Sequence, residues 1–326
     1  MKEKFKQDVL EGLSAAKKRL SSKYFYDEKG DELFVQIMNM PEYYLTDAEM
    51  EIFTEKTDEL IRELKLDPAT PFEIIELGAG DGTKTIQLLR RLLEKEFDFH
   101  YHPVDISQNA LDGLEEMLKR ELPELKVVKQ QGDYFTVLSG FKMSSSLKIV
   151  LFLGSTLGNM LDDKAANFIS NLSHNLNSGD RLLLGLDMIK PRDIVLPAYN
   201  DAQGITKAFN LNILERINRE LGANFQIDQF EHIPSYTEEE GIARSHLKSK
   251  VDQEVYIESL NKTFHFDKGE TIHTEISRKY SEKLLQQLIS DTDFTITGKV
   301  SDRKNYFSDY ILKKTSSIID VRGNKV

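Results

Sequence analysis

The sequence predicts an α/β fold: a Rossmann-like open sheet interrupted by a second domain. Three observations carry that reading. Short apolar runs alternate with amphipathic helical stretches between residues 72 and 186. A glycine turn, Gly78-Ala79-Gly80-Asp81-Gly82, joins the first run to the first helix. The rhythm then breaks over 188–277 and resumes with a helix and two closing strands.

The chain opens with Phe5, Val9, Leu10, Leu13 and Leu20 at roughly helical spacing. Two aromatic loops, 21–31 and 41–46, flank a short helix at 32–38. Their residues Tyr24, Phe25, Tyr26, Tyr43 and Tyr44 read as the packing of a helical cap. Thr46 or Asp47 can cap a helix reaching about residue 64. Strands follow at 72–77, 99–104, 125–129, 147–153 and 181–186, with helices at 83–93, 109–122 and 162–176. Residues 191–222 read as helical and 225–266 as strands. A helix at 281–290 precedes strands near 294–300 and 306–312. Their short connection implies an antiparallel edge, an ending that suits class I methyltransferases better than dehydrogenases. The domain division expected is 50–187 plus 278–315 for the sheet, and 1–49 plus 188–277 for a substrate cap. Residues 316–326 form a tail.

Composition excludes several classes. The chain of 326 residues carries a net charge of −11 and no basic run, which argues against a nucleic-acid partner. It has no cysteine, so disulfides, zinc thiolates and cysteine nucleophiles are out, and a reducing cytoplasm fits. The charged N-terminus lacks a signal-peptide core, and the apolar run 149–153 is too short to span a bilayer, so no membrane association is expected. His100 and His102 alternate on one strand without a third ligand at matching spacing, so no metal is expected. There is no G-x-S-x-G elbow for a hydrolase. The chain reads as a self-contained monomer acting on a small molecule.

The glycine turn is neither a P-loop nor G-x-G-x-x-G, so it suits an adenosine cofactor without a polyphosphate, such as S-adenosylmethionine. In a parallel sheet the ligand lies at the carboxyl ends of the strands. Those ends carry Gly78–Gly82, Asp105, Asp133-Tyr134, 154–159 and Asp187. Asp105, 27 positions after Gly78, can accept both ribose hydroxyls or simply cap the next helix. Asp133 and Tyr134 can meet the adenine edge and face or form an ordinary turn. Lys84 can pair with a methionine carboxylate or lie on the surface.

Several strings are shared with one family: KYFYDEKGDELF (23–34), MPEYYLTDAE (40–49), ELGAGDGTKT (76–85), PVDIS (103–107), FLGSTLGN (152–159), AYNDAQGITKAFNLN (198–212) and HTEISRKY (273–280). From about residue 14 to 312 the chain resembles the ergothioneine-pathway histidine Nα-methyltransferases. These convert L-histidine to its trimethylated betaine, hercynine, with S-adenosylmethionine. The resemblance implies cofactor contacts at Tyr26, Gly78, Lys84, Asp105, Asp133 and Tyr134. It implies that Tyr43 and Glu275 hold the imidazole ring and that Phe34 walls the pocket. Asn159, Tyr199 and Ser277 match groups around the substrate's amino and carboxylate ends, and Gly154 and Thr206 match groups near the amine. Asn159, Thr206 and Gly154 are thus the expected catalytic positions, as aligning groups without a strong base.

The sequence departs from the family at Arg244, where a pocket methionine is expected, and in GAGDG in place of GSGTS. An Arg244 guanidinium in the substrate site could pair with Glu275, favour an acidic or polar side chain, or point outward by a one-residue register slip. Two alternatives stand beside histidine Nα-methylation. One is a paralogue acting on another amino acid or on a ring nitrogen. The other is a non-catalytic protein that binds adenosylmethionine or an amino acid.

Overall fold

The computed structural model describes residues 2–316. The chain begins with helices α1 (Lys2–Ser14), α2 (Glu28–Met38), α3 (Tyr44–Glu55) and α4 (Thr57–Leu64). Strands and helices then alternate: β1 (Phe72–Leu77), α5 (Thr85–Glu94), β2 (Phe99–Asp105), α6 (Gln108–Glu121), β3 (Lys126–Val127), β4 (Gln130–Gln131), α7 (Tyr134–Phe141), β5 (Leu147–Phe152), α8 (Asp162–Asn175) and β6 (Arg181–Asp187). The insertion holds α9 (Arg192–Val195), α10 (Ile205–Leu221), β7 (Phe230–Thr237), β8 (Ile242–Ser249), β9 (Gln253–Ile257), β10 (Lys262–Phe266) and β11 (Thr271–Arg278). The chain closes with α11 (Glu282–Ile289), β12 (Phe294–Ser301) and β13 (Phe307–Lys314).

Two compact units result. One comprises the chain up to Tyr44 with Ile189–Lys279, here called the insertion unit. The other comprises Leu45–Met188 and the chain from Tyr280 on, the sheet unit. The first boundary falls five residues ahead of the one read from sequence. Leu45, Ala48 and Glu49 are already buried on the α3 face.

The sheet unit is built on strands in the order β12-β13-β6-β5-β1-β2-β3, with β4 also paired to β2. β6, β5, β1, β2 and β3 are parallel; β13 runs antiparallel to both β6 and β12. This is the class I methyltransferase order, with the antiparallel ending expected from the closing strands. Alternation along β1 and β5 explains the two-sided burial. Phe72, Ile74, Ile149 and Leu151 enter one core cluster, while Ile75, Leu77, Val150 and Phe152 enter the other.

The insertion unit packs a three-stranded antiparallel sheet, β11-β8-β7, and the hairpin β9-β10 against α1, α2 and α10. Phe5, Val9 and Leu13 recur at i, i+4 and meet Ile213, Leu214 and Ile217 of α10 in one core.

Local departures from the sequence reading have physical causes. The first helix ends at Ser14, and α3 starts at Tyr44. The helix expected through residue 64 breaks after Glu55, where Lys56 leaves helical geometry at φ −120°, ψ 17°. The third strand is two short pairings, split around Val128 and Lys129. Residues 191–222 are helical in pieces, because Gly204 at φ +76° starts α10 afresh. α7 was not foreseen; Asp133 caps it. Of the expected tail, residues 317–326 lie outside the described residues. Among the described residues, no helix is long and apolar enough to cross a membrane.

Candidate active site

In the sheet unit, β1 delivers the chain into a turn where Gly78, Gly80 and Gly82 have φ of +75°, +56° and +69°. L-residues avoid that region at a cost of about 1–2 kcal/mol each. Gly78 is constrained twice, since a Cβ there would sit 2.7 Å from the Tyr134 hydroxyl. A Cβ on Gly80 would meet nothing within 4 Å, so the turn is open on that side. Asp81 Oδ1 accepts the Thr83 N–H at 3.0 Å and closes the turn.

The strand ends converge as the topology requires. The Gly78 N–H donates to the Val104 carbonyl at 2.9 Å, and the Gly132 N–H to the Asp105 carbonyl at 3.0 Å. Asp105 Oδ1 accepts the Ser107 N–H at 2.8 Å, while the α6 cap is Ser107 itself. Asp133 Oδ1 caps α7 through the N–H groups of Phe135 and Thr136. Burial, then the charges of Asp105 and Asp133, push the Tyr134 phenol up. Beside Asp105 stands Ile106, an apolar side chain 74% exposed. The sequence reading passed over it, yet an uncovered isoleucine next to a carboxylate is a ready apolar contact for a base.

Lys84 is placed at the start of α5, and its ammonium is bound by Glu49 of α3. Burial pulls the Lys84 ammonium down, but the Glu49 carboxylate outweighs it and leaves it raised. Glu49 also accepts the Gly154 N–H. Gly154 and Ser155 both lie at positive φ, +70° and +53°. They lead into a short turn, Thr156–Asn159, on which Asn159 is exposed. Glu76 is 4% exposed and accepts the hydroxyls of Thr85, at 2.7 Å, and Tyr101. Burial raises its carboxyl to about 7 against the pull of those two donors.

The insertion unit holds the other expected residues. Phe34 packs edge-on to Tyr43 (6.5 Å between ring centres) and Tyr26 (5.4 Å), and Phe209 of α10 backs both Tyr26 and Phe34. Tyr26, expected at the cofactor, thus belongs to this aromatic group and is 44% exposed. Asp201 caps α10 through the N–H groups of Ile205 and Thr206, each at 2.8 Å, which buries Thr206 in the first turn. Tyr199 is also buried.

Alternation along β11 puts Glu275 and Ser277 on one face, and Lys279, one residue past the strand, turns back to Ser277. Lys279 is fully buried and donates to the Tyr199 hydroxyl at 2.8 Å and to Ser277 Oγ at 2.9 Å. An ammonium only donates, so both hydroxyls accept from it. Burial raises the Glu275 carboxyl to about 7, against the opposing pull of Lys279, Ser245 and Asn210. Ser245 Oγ lies 3.5 Å from Glu275 and 3.2 Å from His232 Nε2. Asn210 accepts the Thr274 hydroxyl at 2.8 Å and donates to the Thr206 carbonyl at 3.2 Å.

Arg244 is not brought to Glu275. It pairs across β8 and β11 with Ile276, and its guanidinium binds the exposed Glu240. Ser245, one residue on, is the cross-strand partner of Glu275. The correction is one of register: a single step along a strand reverses the face. Ser245, Asn210, Lys279 and Glu49 were all missed. Lys279 had a signal, since strand alternation from Glu275 and Ser277 points to it. Asn210 stands one helical turn after Thr206.

The strand order, the open glycine turn, the carboxylates ending β2 and preceding α7, and the ammonium at the start of α5 fit S-adenosylmethionine. They define a class I S-adenosylmethionine-dependent methyltransferase. A family model described as histidine-specific, S-adenosylmethionine-dependent methyltransferase matches residues 5–314. Over 278 residues the chain is 36% identical to a histidine N-alpha-methyltransferase of Mycolicibacterium smegmatis, covering 85% of each. It is 34% identical to the protein of that name from Mycobacterium tuberculosis, covering 84% of each. It is 32% identical to ergothioneine biosynthesis protein 1 of Schizosaccharomyces pombe, over 91% of this chain but 39% of that protein. The chain belongs to the histidine-specific, S-adenosylmethionine-dependent methyltransferase family.

Proposed function

We propose that this protein methylates the α-amino group of L-histidine, up to three times, to give hercynine. The carrying observation is Glu275: a half-buried carboxyl next to Ser245 and Asn210, in the same unit as a buried ammonium with two hydroxyls. Together these recognise an N–H at one end of an amino acid and a carboxylate at the other. S-adenosylmethionine, held by Gly78, Lys84, Asp105, Asp133 and Tyr134, and by Tyr26 as the resemblance implies, supplies an electrophilic methyl group when bound.

The chain's own residues do the rest. Ionised Glu275 accepts the imidazole N–H, with Tyr43 as its partner at the ring and Phe34 as an apolar wall. A charge-assisted bond of that kind contributes about 1.5–3 kcal/mol. A ligand without the N–H leaves the acid unpaired, which is the source of selectivity. Tyr199 and Ser277, polarised by Lys279, donate to the α-carboxylate. Asn159, Thr206 and Gly154 align the neutral amine, whose proton leaves to water. Arg244, directed to Glu240, gives no reason to favour an acidic side chain. A cytoplasmic setting belongs to the same proposal, since a chain without cysteine suits a reducing compartment.

Mass spectrometry of the product of L-histidine and S-adenosylmethionine tests this reading. Three methyl groups on the α-nitrogen are expected. Methylation of the ring, or methylation only of another amino acid, would overturn it.

A further inference from the structure

Glu49 on α3 is 1% exposed, and carboxylates are almost never fully buried unless paired. Two groups of the sheet unit bind it. Its Oε1 and Oε2 lie 2.9 and 3.2 Å from the Gly154 nitrogen, and Oε2 also takes the Lys84 ammonium. Space for the carboxylate is built into the sheet. Gly185 on β6 pairs with Asp309 on β13, and a Cβ on Gly185 would come within 2.5 Å of Glu49 Oε1 and 3.1 Å of Asp309 Oδ1. Asp309 is fully buried, and neither of its carboxyl oxygens has a hydrogen-bond partner among the described residues. Burial and then the Glu49 charge push its carboxyl well above the ordinary range, against the opposing pull of Lys84. Glu49 is the carboxylate that binds the Lys84 ammonium directly and raises it most.

We propose that Glu49 is a positioning residue for methyl transfer, holding the Lys84 ammonium and the Gly154 turn on one carboxylate. The inference rests on the roles given above to Lys84, at the cofactor carboxylate, and to Gly154, near the amine. Lysine has three donors, and Glu49 occupies one direction while leaving others for a ligand. The Glu49 charge tempers the attraction of Lys84 for a second carboxylate. Its other bond fixes a backbone segment that two successive positive-φ residues leave without helical or strand support. The two bonds thus serve different quantities: charge sets cofactor affinity, and the N–H acceptor sets turnover.

Glu49→Gln removes the charge and keeps an acceptor for Gly154; Glu49→Ala removes both. S-Adenosylhomocysteine binding is measured by calorimetry, and kcat at saturating histidine and S-adenosylmethionine. Glu49→Gln is expected to lower the S-adenosylhomocysteine Kd at least fivefold and to keep kcat within threefold; a raised Kd overturns the proposal. Glu49→Ala is expected to share that Kd shift and to lose at least a further tenfold in kcat. In a Lys84→Met background, Glu49→Gln is expected to leave the Kd within twofold. A shift there as large as in wild type overturns the proposal. So does equal kcat in the Gln and Ala variants. If Glu49→Ala fails to fold, Glu49→Asp replaces it: the charge is kept, the reach is shorter, and turnover is expected to fall with little change in Kd. Unchanged kcat in Glu49→Asp contradicts the two-point hold. Failure of the underlying reading looks different, because wild type would then not methylate histidine or Lys84→Met would not weaken S-adenosylhomocysteine binding.

Discussion

Glu76 in the sheet unit, buried, and Glu275 in the insertion unit, half-buried, are both acids raised to about 7, yet their surroundings differ. Glu76 is met closely by two hydroxyl donors, Thr85 and Tyr101, on neighbouring elements of its own scaffold. Glu275 has a serine hydroxyl at 3.5 Å, a buried asparagine beside it and an ammonium that donates to two other hydroxyls. The first acid has its donors at bonding distance. The second has its nearest serine donor only at the edge of bonding distance, 3.5 Å. A shifted pKa therefore does not mark the ligand site, whereas the geometry of its donors does.

Breaking the Glu275 side should have the larger functional effect. Lys279→Met removes a buried cation that polarises Tyr199 and Ser277. It should lower kcat/KM for histidine by about 10–150-fold, the equivalent of about 1.5–3 kcal/mol, with S-adenosylhomocysteine affinity unchanged. A parallel loss of both, seen by calorimetry, would assign Lys279 to general stability.

The pH profile sharpens the contrast. Ionised Glu275 accepts an N–H much more strongly than the neutral acid, so the KM for histidine should fall, by up to roughly tenfold, as pH rises from 6 to 8 through its value of about 7. Glu275→Gln should lack that enzyme-side limb. The stability sign is opposite. A carboxyl raised from 4.5 to about 7 favours the fold below 4.5 and loses that contribution as pH rises through 7. Glu275→Gln should therefore raise Tm at pH 8 and leave it unchanged at pH 4.

Tyr101→Phe probes the scaffold acid. It leaves Glu76 short of one donor, a loss of about 1–3 kcal/mol seen as a lower Tm. The histidine KM should stay within twofold; a larger rise would end the distinction between the two acids. Arg244→Ala should have the smallest effect, within twofold on KM, because its guanidinium is spent on exposed Glu240.

These differences also show what the sequence could carry. The strand–glycine–helix start was legible because glycine runs and alternating apolar residues report backbone geometry directly. Asp105 and Asp133 were legible from their place after strands. α7 was hidden because Gly132-Asp133-Tyr134 reads as a turn, although the aspartate caps a helix. Glu49 and Asn210 sit in amphipathic helices, where a polar residue ordinarily faces solvent. Their burial follows from what packs across from them, Gly185 in one case and Thr274 in the other. Arg244 against Ser245 was a one-residue register question that spacing alone left open.

The central claim is that Glu275 reads the imidazole ring and takes no part in holding the cofactor. Calorimetric titration of L-histidine into wild type and Glu275→Gln, each saturated with S-adenosylhomocysteine, tests it most directly. The account predicts that Glu275→Gln weakens histidine binding by about 10–150-fold and leaves S-adenosylhomocysteine affinity within twofold. Histidine binding equal to wild type, or an equal loss of both ligands, would contradict it.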